Sequence, residues 1–523
     1  MKQTGTQTDH SRLEGLDPAG TGRVFWNLGM AALCERAVAR GEVRLSEAGA
    51  LVVTTAQSGQ EISIARVDDA ASAGTLFQSE TVSGDVSVLT RAQFEALKTD
   101  LLAYVGRRTL FGQDVSVEAG AAGRVTARLL SDQAWHALFV RHLMRPCEPA
   151  DMGETAPRLT VLCAPGFRPT PETHGVAADG AVALDPANGL ALIAGTARSE
   201  AIRAALAHLI AGPLTDTGVL PLHGVAAIGT TGTLALFLGT AGAGKSTLAS
   251  TLARGQAEDG APVRLVDGAL GWGEQGLVAL EAGASVRPAD LAHAAEVARA
   301  AHSFGALLEN VALDPASRTP DLTEAGSTPA SRIILPPRLT EGAPTLGPPA
   351  QLFVLVQDTS GALPAIARLN PAQALSHCLG GTGTAPALAE LHAPRLRDLL
   401  ARHAPGCWLV NTGWIGGAAG VGRRVPVEAS RRLVDAAQAG ELATGDWRTD
   451  PHFGFEVPAA LEGIDPRLLD PARAFASRSA HDGAARALAG QFAARLARFE
   501  TAAEETAPAQ ARGAQPGMAV AAE

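Results

Sequence analysis

The chain has 523 residues and a formal charge of −10, an acidic balance that excludes a nucleic-acid or anionic-membrane surface as its main business. With 46 % hydrophobic and 18 % charged residues it reads as a globular, enzyme-sized protein of two or three domains. Five scattered cysteines without a CxxC pair, no apolar leader after Met1 and no run of eighteen apolar residues point to the cytoplasm. They argue against a membrane span, a disulfide framework and a thiolate zinc site.

In chain order, residues 1–22 are expected to be a flexible arm and 23–215 a first domain. Met30 to Arg40 has helical composition, Ala50 to Val53 and Leu159 to Leu162 read as strands, and Gln133 to Met144 carries helical apolar spacing ending before Arg145-Pro146. A second domain is expected over 216–500. It opens with the apolar strand Leu234 to Leu238, then glycines, a helix from Ser246 to Arg254 and a strand from Val263 to Val266, a crossover unit that favours a mixed or parallel sheet. Pro336 to Pro349 reads as a surface connection, Leu352 to Val356 and Cys407 to Val410 as core strands, and 501–523 as a disordered tail.

Gly239-Thr240-Ala241-Gly242-Ala243-Gly244-Lys245-Ser246 matches G-x-x-x-x-G-K-[ST] after an apolar strand and before a helix. Glycines let successive backbone N–H groups point at phosphate oxygens, the helix start adds partial positive charge, and Lys245 adds a full one. Only three lysines exist (Lys2, Lys98, Lys245), and one falls where an ammonium is needed. Ser246 is placed to coordinate Mg²⁺. Asp267, at the end of the next strand, is the natural second carboxylate, with a turn cap as the plainer alternative.

Further segments extend the pattern: Val24-Phe25-Trp26-Asn27-Leu28, Ala134 to Arg141, Leu222-His223-Gly224, Asp267 to Trp272, Gly305 to Val311, Leu363 to Leu369 and Leu409 to Trp414. In order and spacing, residues 24 to 497 resemble the ATP-dependent phosphoenolpyruvate carboxykinases. The resemblance implies a mixed α/β fold of two lobes, the first on the substrate side and the second, with the P-loop, binding nucleotide. It implies ATP with Mg²⁺, a second metal, usually Mn²⁺, and conversion of oxaloacetate and ATP to phosphoenolpyruvate, CO₂ and ADP in gluconeogenesis. By position, Gly239, Gly242, Ala243, Gly244, Lys245, Ser246 and Thr247 would bind nucleotide, with Ser246 and Asp267 on Mg²⁺. Arg368 would neutralise the transferring phosphoryl, Arg431 would lie against the base, and Glu309 matches a polar residue near the phosphates. His223 matches a second-metal ligand, although a histidine beside a strand is more often structural.

The departures from the family cluster in one pocket. Gln60 stands for an arginine that clamps the substrate carboxylate, Ser199 for a lysine ligand of the second metal, and Gly268 for an aspartate ligand of it. Ala241 replaces a loop serine, Ile193 a tyrosine, and a stretch near Glu390-Leu391 is missing. The Mn²⁺ site is therefore incomplete, and Arg198 is the one nearby cation the sequence offers in compensation. Three functions follow: a carboxykinase with a rebuilt substrate site, a kinase of another small molecule, or a non-catalytic nucleotide-binding paralogue. Nucleotide and a small carboxylic acid are the expected partners; no nucleic acid or membrane is expected, and no protein partner is indicated.

Overall fold

The computed structural model describes residues 2–6, 22–55, 62–67, 86–118, 123–147, 159–177, 179–229, 232–240, 242–252, 264–288, 295–337, 345–380 and 392–506. Gln60, Ala241, the Glu390-Leu391 junction and residues 507–523 of the expected tail lie outside them. No described helix is long and apolar enough to cross a membrane.

Two ten-stranded sheets dominate the described residues. The first takes its strands from the amino-terminal half, with Thr109–Glu118, Arg124–Ser131, Leu159–Ala164 and Leu190–Ala194 side by side at its centre. Leu159–Ala164 and Leu190–Ala194 are buried on both faces, so they read as nearly continuous apolar runs. Alternation still sorts them: Val161 and Cys163 join one core, Leu162 and Ala164 the other. The helix Arg91–Val105 covers the second face through Phe94, Leu97, Leu101 and Val105. A capping box fixes its start, Thr90 and Gln93 each satisfying the other's backbone N–H. The helices Ala134–Leu143 and Ser199–Asp216 cover the first face.

The second sheet is mixed, as the crossover unit led one to expect. Its centre runs Arg264–Gly273, Leu220–Ile228, Leu234–Gly239, Gln351–Val356, Gly406–Asn411, Ile366–Leu369. The last four of these include three parallel neighbours, Leu234–Gly239, Gln351–Val356 and Gly406–Asn411. A third sheet pairs Leu307–Glu309 in parallel with Leu51–Val53 and antiparallel with Arg332–Leu335. It joins chain from both sides of residue 216 and carries half of the site described below.

Three expectations need correction. Lys2–Gly5 is a strand, not part of a loose arm: it pairs in parallel with Arg23–Trp26, whose edge N–H and C=O groups would otherwise lack partners. Asp267 does not end its strand; antiparallel pairing with Leu220–Ile228 carries the strand through Gly268 and Gly271 to Gly273. The helix Arg478–Thr506 also runs beyond residue 501, where the tail was expected to begin.

Candidate active site

The phosphate loop leaves the carboxyl end of Leu234–Gly239, where open α/β sheets bind their ligands. Gly239 is required there, since a Cβ would lie 2.7 Å from the Leu355 carbonyl oxygen of the neighbouring strand. The helix Lys245–Leu252 begins at the lysine itself. Lys245 is buried, and its Nζ donates to the carbonyls of Gly239 and Thr240, both at 3.0 Å. Two residues the sequence did not single out brace the loop from adjacent strands. Gln357 Nε2 donates to Gly242 O at 2.7 Å and Thr412 Oγ1 to Ala243 O at 2.9 Å.

Ser246 Oγ donates to Asp267 Oδ2, so the two expected Mg²⁺ oxygens stand together at the helix start. His223 lies one diagonal from Asp267: the register sets Val225 against Asp267 and His223 against Ala269. Arg431 sits on the helix Val427–Gln438, which packs on the helix that follows the loop, and donates to Glu428 at 2.6 Å.

Arg368 does not join this group. Its strand lies three places from the loop's strand, about 14 Å away at ordinary strand spacing. It is 43 % exposed, bonded to Glu456 and stacked over Trp447 with 4.2 Å to the ring centroid. Arg332 is a buried arginine of the site, and its register partner is Glu309. Arg332 Nη2 donates to Glu200 at 2.9 Å, and Nη1 to the carbonyls of Pro329 and Ser331.

Glu309 is bonded to residues outside the phosphate loop. It accepts from Ser199 Oγ, from Ser199 N at 3.2 Å and from Thr55 Oγ1 at 2.6 Å. Burial pushes its carboxyl above the usual range, and the bonds from Ser199 and Thr55 pull it part of the way back. One helical turn beyond Ser199, Arg203 forms a two-pronged pair with Glu281, 2.6 and 2.7 Å. Burial works against the Arg203 charge, yet the nearby Glu281, Glu200 and Asp267 more than offset it and hold the guanidinium firmly protonated. That pair fills the space beside Gly268: a Cβ there would overlap Glu281 Oε2 and lie 3.0 Å from Arg203 Nη2. Arg203 is thus the cation beside Gly268, while Arg198 lies 4.0 Å from Glu200.

The Mg²⁺ donors fit their ion, being hard oxygens at a helix start. The second-metal donors do not. Ser199 is committed to Glu309, Gly268 offers no side chain, and a guanidinium stands in the gap; His223 alone remains.

Fold and site together define a two-lobed α/β protein built around a phosphate loop. A family model described as phosphoenolpyruvate carboxykinase matches residues 22–390 and 385–467. The chain is 34 % identical to the phosphoenolpyruvate carboxykinase (ATP) of Mesorhizobium japonicum over the whole of both chains. It is 35 % identical to that of a Methylobacterium species over 96 % of each, and 34 % identical to that of Rhodopseudomonas palustris over the whole of both. This chain belongs to the ATP-dependent phosphoenolpyruvate carboxykinase family.

Proposed function

We propose that the chain binds Mg·ATP on Gly239–Thr247 and carries out the carboxykinase reaction, turning oxaloacetate and ATP into phosphoenolpyruvate, CO₂ and ADP. The observation that carries this reading is the intact phosphate loop with Lys245, Ser246 and Asp267 assembled at one helix start. Bound Mg²⁺ would neutralise charge on the β- and γ-phosphates. Lys245 exchanges its two loop carbonyls for phosphate oxygens, Ser246 and Asp267 hold the ion, and Arg431 lies on the base side. Decarboxylation leaves the electron pair of the broken C–C bond on an enolate, whose oxygen takes the γ-phosphoryl while ADP departs. Arg203 and Arg332 supply fixed positive charge on the substrate side, and no step is routed through a second metal. Five buried free cysteines support a reducing, cytoplasmic setting.

A second reading has its own observation. The closed Ser199–Glu309–Thr55 contacts and the Arg203–Glu281 pair occupy the oxaloacetate half, which favours phosphoryl transfer to a different small carboxylic acid. Incubation with ATP, Mg²⁺ and oxaloacetate, with and without Mn²⁺, separates the two. Phosphoenolpyruvate formed at about 1–10³ s⁻¹ without Mn²⁺ supports the first. ATP binding without phosphoenolpyruvate, followed by phosphorylation of another acid, supports the second. Absence of ATP binding defeats both.

A further inference from the structure

At the far edge of the second sheet, strand Trp447–Thr449 turns into residues 450–453 and meets the start of the helix Arg478–Thr506. Asp450 holds the turn by accepting from the backbone N–H of His452 at 2.9 Å and of Phe453 at 3.1 Å. This directs His452 Nε2 to 2.9 Å from Asp482 Oδ1, on the helix. The adjacent His481 is only 4 % exposed, packed edge-on against His452 and Phe475. Neither of its ring nitrogens has a hydrogen-bond partner among the described residues. Its Nδ1 lies 3.6 Å from the same Asp482 oxygen, and one donor atom from each of the three residues falls within 4.8 Å of the others.

A neutral imidazole has one N–H to donate and one lone pair to share, so a buried ring with both unsatisfied is a rare and costly arrangement. A cation between the three residues would take up the lone pair. Ligand atoms about 2.0–2.1 Å from a tetrahedral zinc lie about 3.3 Å apart, and the 2.9 and 3.6 Å separations straddle that value. Two imidazoles and one carboxylate suit a zinc-class ion better than the harder Mg²⁺. His452 and Asp482 keep side-chain exposures of 16 % and 32 %, leaving a path inward and a fourth position for water. The site lies five strands from the phosphate loop's strand, so it is separate from the nucleotide site.

We propose that His452, His481 and Asp482 bind a divalent cation of the zinc class, which clamps the 450–453 turn to the start of the carboxyl-terminal helix. The test uses the full chain, stripped with a chelator and free of nucleotide, titrated with Zn²⁺ by calorimetry and with Co²⁺ by visible absorption. The expected result is one Zn²⁺ per chain, a rise in melting temperature on binding, and Co²⁺ bands typical of tetrahedral nitrogen and oxygen ligation. Asp482→Asn and His452→Gln alter partly exposed residues, and circular dichroism checks their folding. Each should weaken Zn²⁺ by more than roughly 10-fold, the loss that even outer-sphere partners of a metal site cause. Absence of a Zn²⁺ equivalent in the wild type overturns the proposal. So do an equivalent unchanged in both variants and a Co²⁺ spectrum lacking tetrahedral bands.

Discussion

Removing the Arg203 guanidinium should damage the protein more than neutralising its partner, because the two ends of that pair have different neighbours. In Arg203→Met, Glu281 is left 5 % exposed with no counter-charge, the case in which breaking a buried pair costs about 3–5 kcal/mol. In Glu281→Gln, Arg203 still feels Glu200 and Asp267, so the cost should stay near the about 1.5–3 kcal/mol of one charge-assisted hydrogen bond. The double variant Arg203→Met/Glu281→Leu fills the same volume with apolar atoms and should be close to neutral, since such exchanges often are. For a cooperative unit of about 150–250 residues, a loss of about 4 kcal/mol lowers the melting temperature by roughly 8–16 °C. Melting of the four proteins followed by tryptophan fluorescence and calorimetry completes the cycle. A fall of less than about 2 °C in Arg203→Met refutes the reasoning, as does a double variant no more stable than the weaker single one.

Lys245→Ala removes charge-assisted bonds worth about 1.5–3 kcal/mol and should weaken Mg·ATP roughly 10- to 100-fold by calorimetric titration; equal affinities would sink the phosphate-loop assignment. Gly268→Asp should lower the melting temperature, because its side chain collides with Glu281 at a φ of +148°. Adding Glu281→Ala should restore part of the loss, since the new carboxylate can then pair with Arg203; no rescue would contradict the described packing. His136 and His377 are held neutral by burial, each with a pKa of about 4 against an ordinary 6.5. The unfolded chain therefore binds their protons first, so stability is full above pH 6.5 and is lost as pH falls towards 4, about 2 kcal/mol for each by pH 5. His377→Leu should flatten that loss between pH 7.5 and 5, and an unchanged pH slope would count against it.

The nucleotide half of the site was legible because it is written contiguously. A buried strand, a glycine-rich turn and a helix beginning at Lys245 occupy residues 234–252, and each element carries its own local signal. The bracing residues Gln357 and Thr412 were not legible, since they follow strands 100 residues and more away in sequence. Arg368 misled for a physical reason. It sits in an apolar run that does form a core strand, but it is the outward position of that strand, facing Trp447 and Glu456. Arg332 carried a weaker sign, a charge at the head of the apolar run Ile333-Ile334-Leu335, and only the pairing with Leu307–Glu309 brings it into the pocket.

The substrate half shows why a substitution list understates what has changed. Read singly, Gly268 and Ser199 are losses, a carboxylate and an amine gone from a metal site. In the fold their places are taken by contacts that spacing could not reveal. Glu281 occupies the room a side chain at 268 would need, and Arg203 pairs with it while facing Asp267 and Glu200. Ser199, small enough to fit beneath Glu309, gives that buried acid two hydrogen bonds, and Thr55 adds a third. Glu200 is matched by Arg332. Every described acid in this half thus has a partner within the chain, and positive charge comes from covalently fixed guanidinium groups. A divalent cation entering between them would have to displace Arg203 from Glu281, which costs a buried ion pair before any ligand is gained. The glycine at 268 and the Arg203–Glu281 pair therefore depend on one another, and an aspartate placed at 268 alone should leave the pocket worse than it is now.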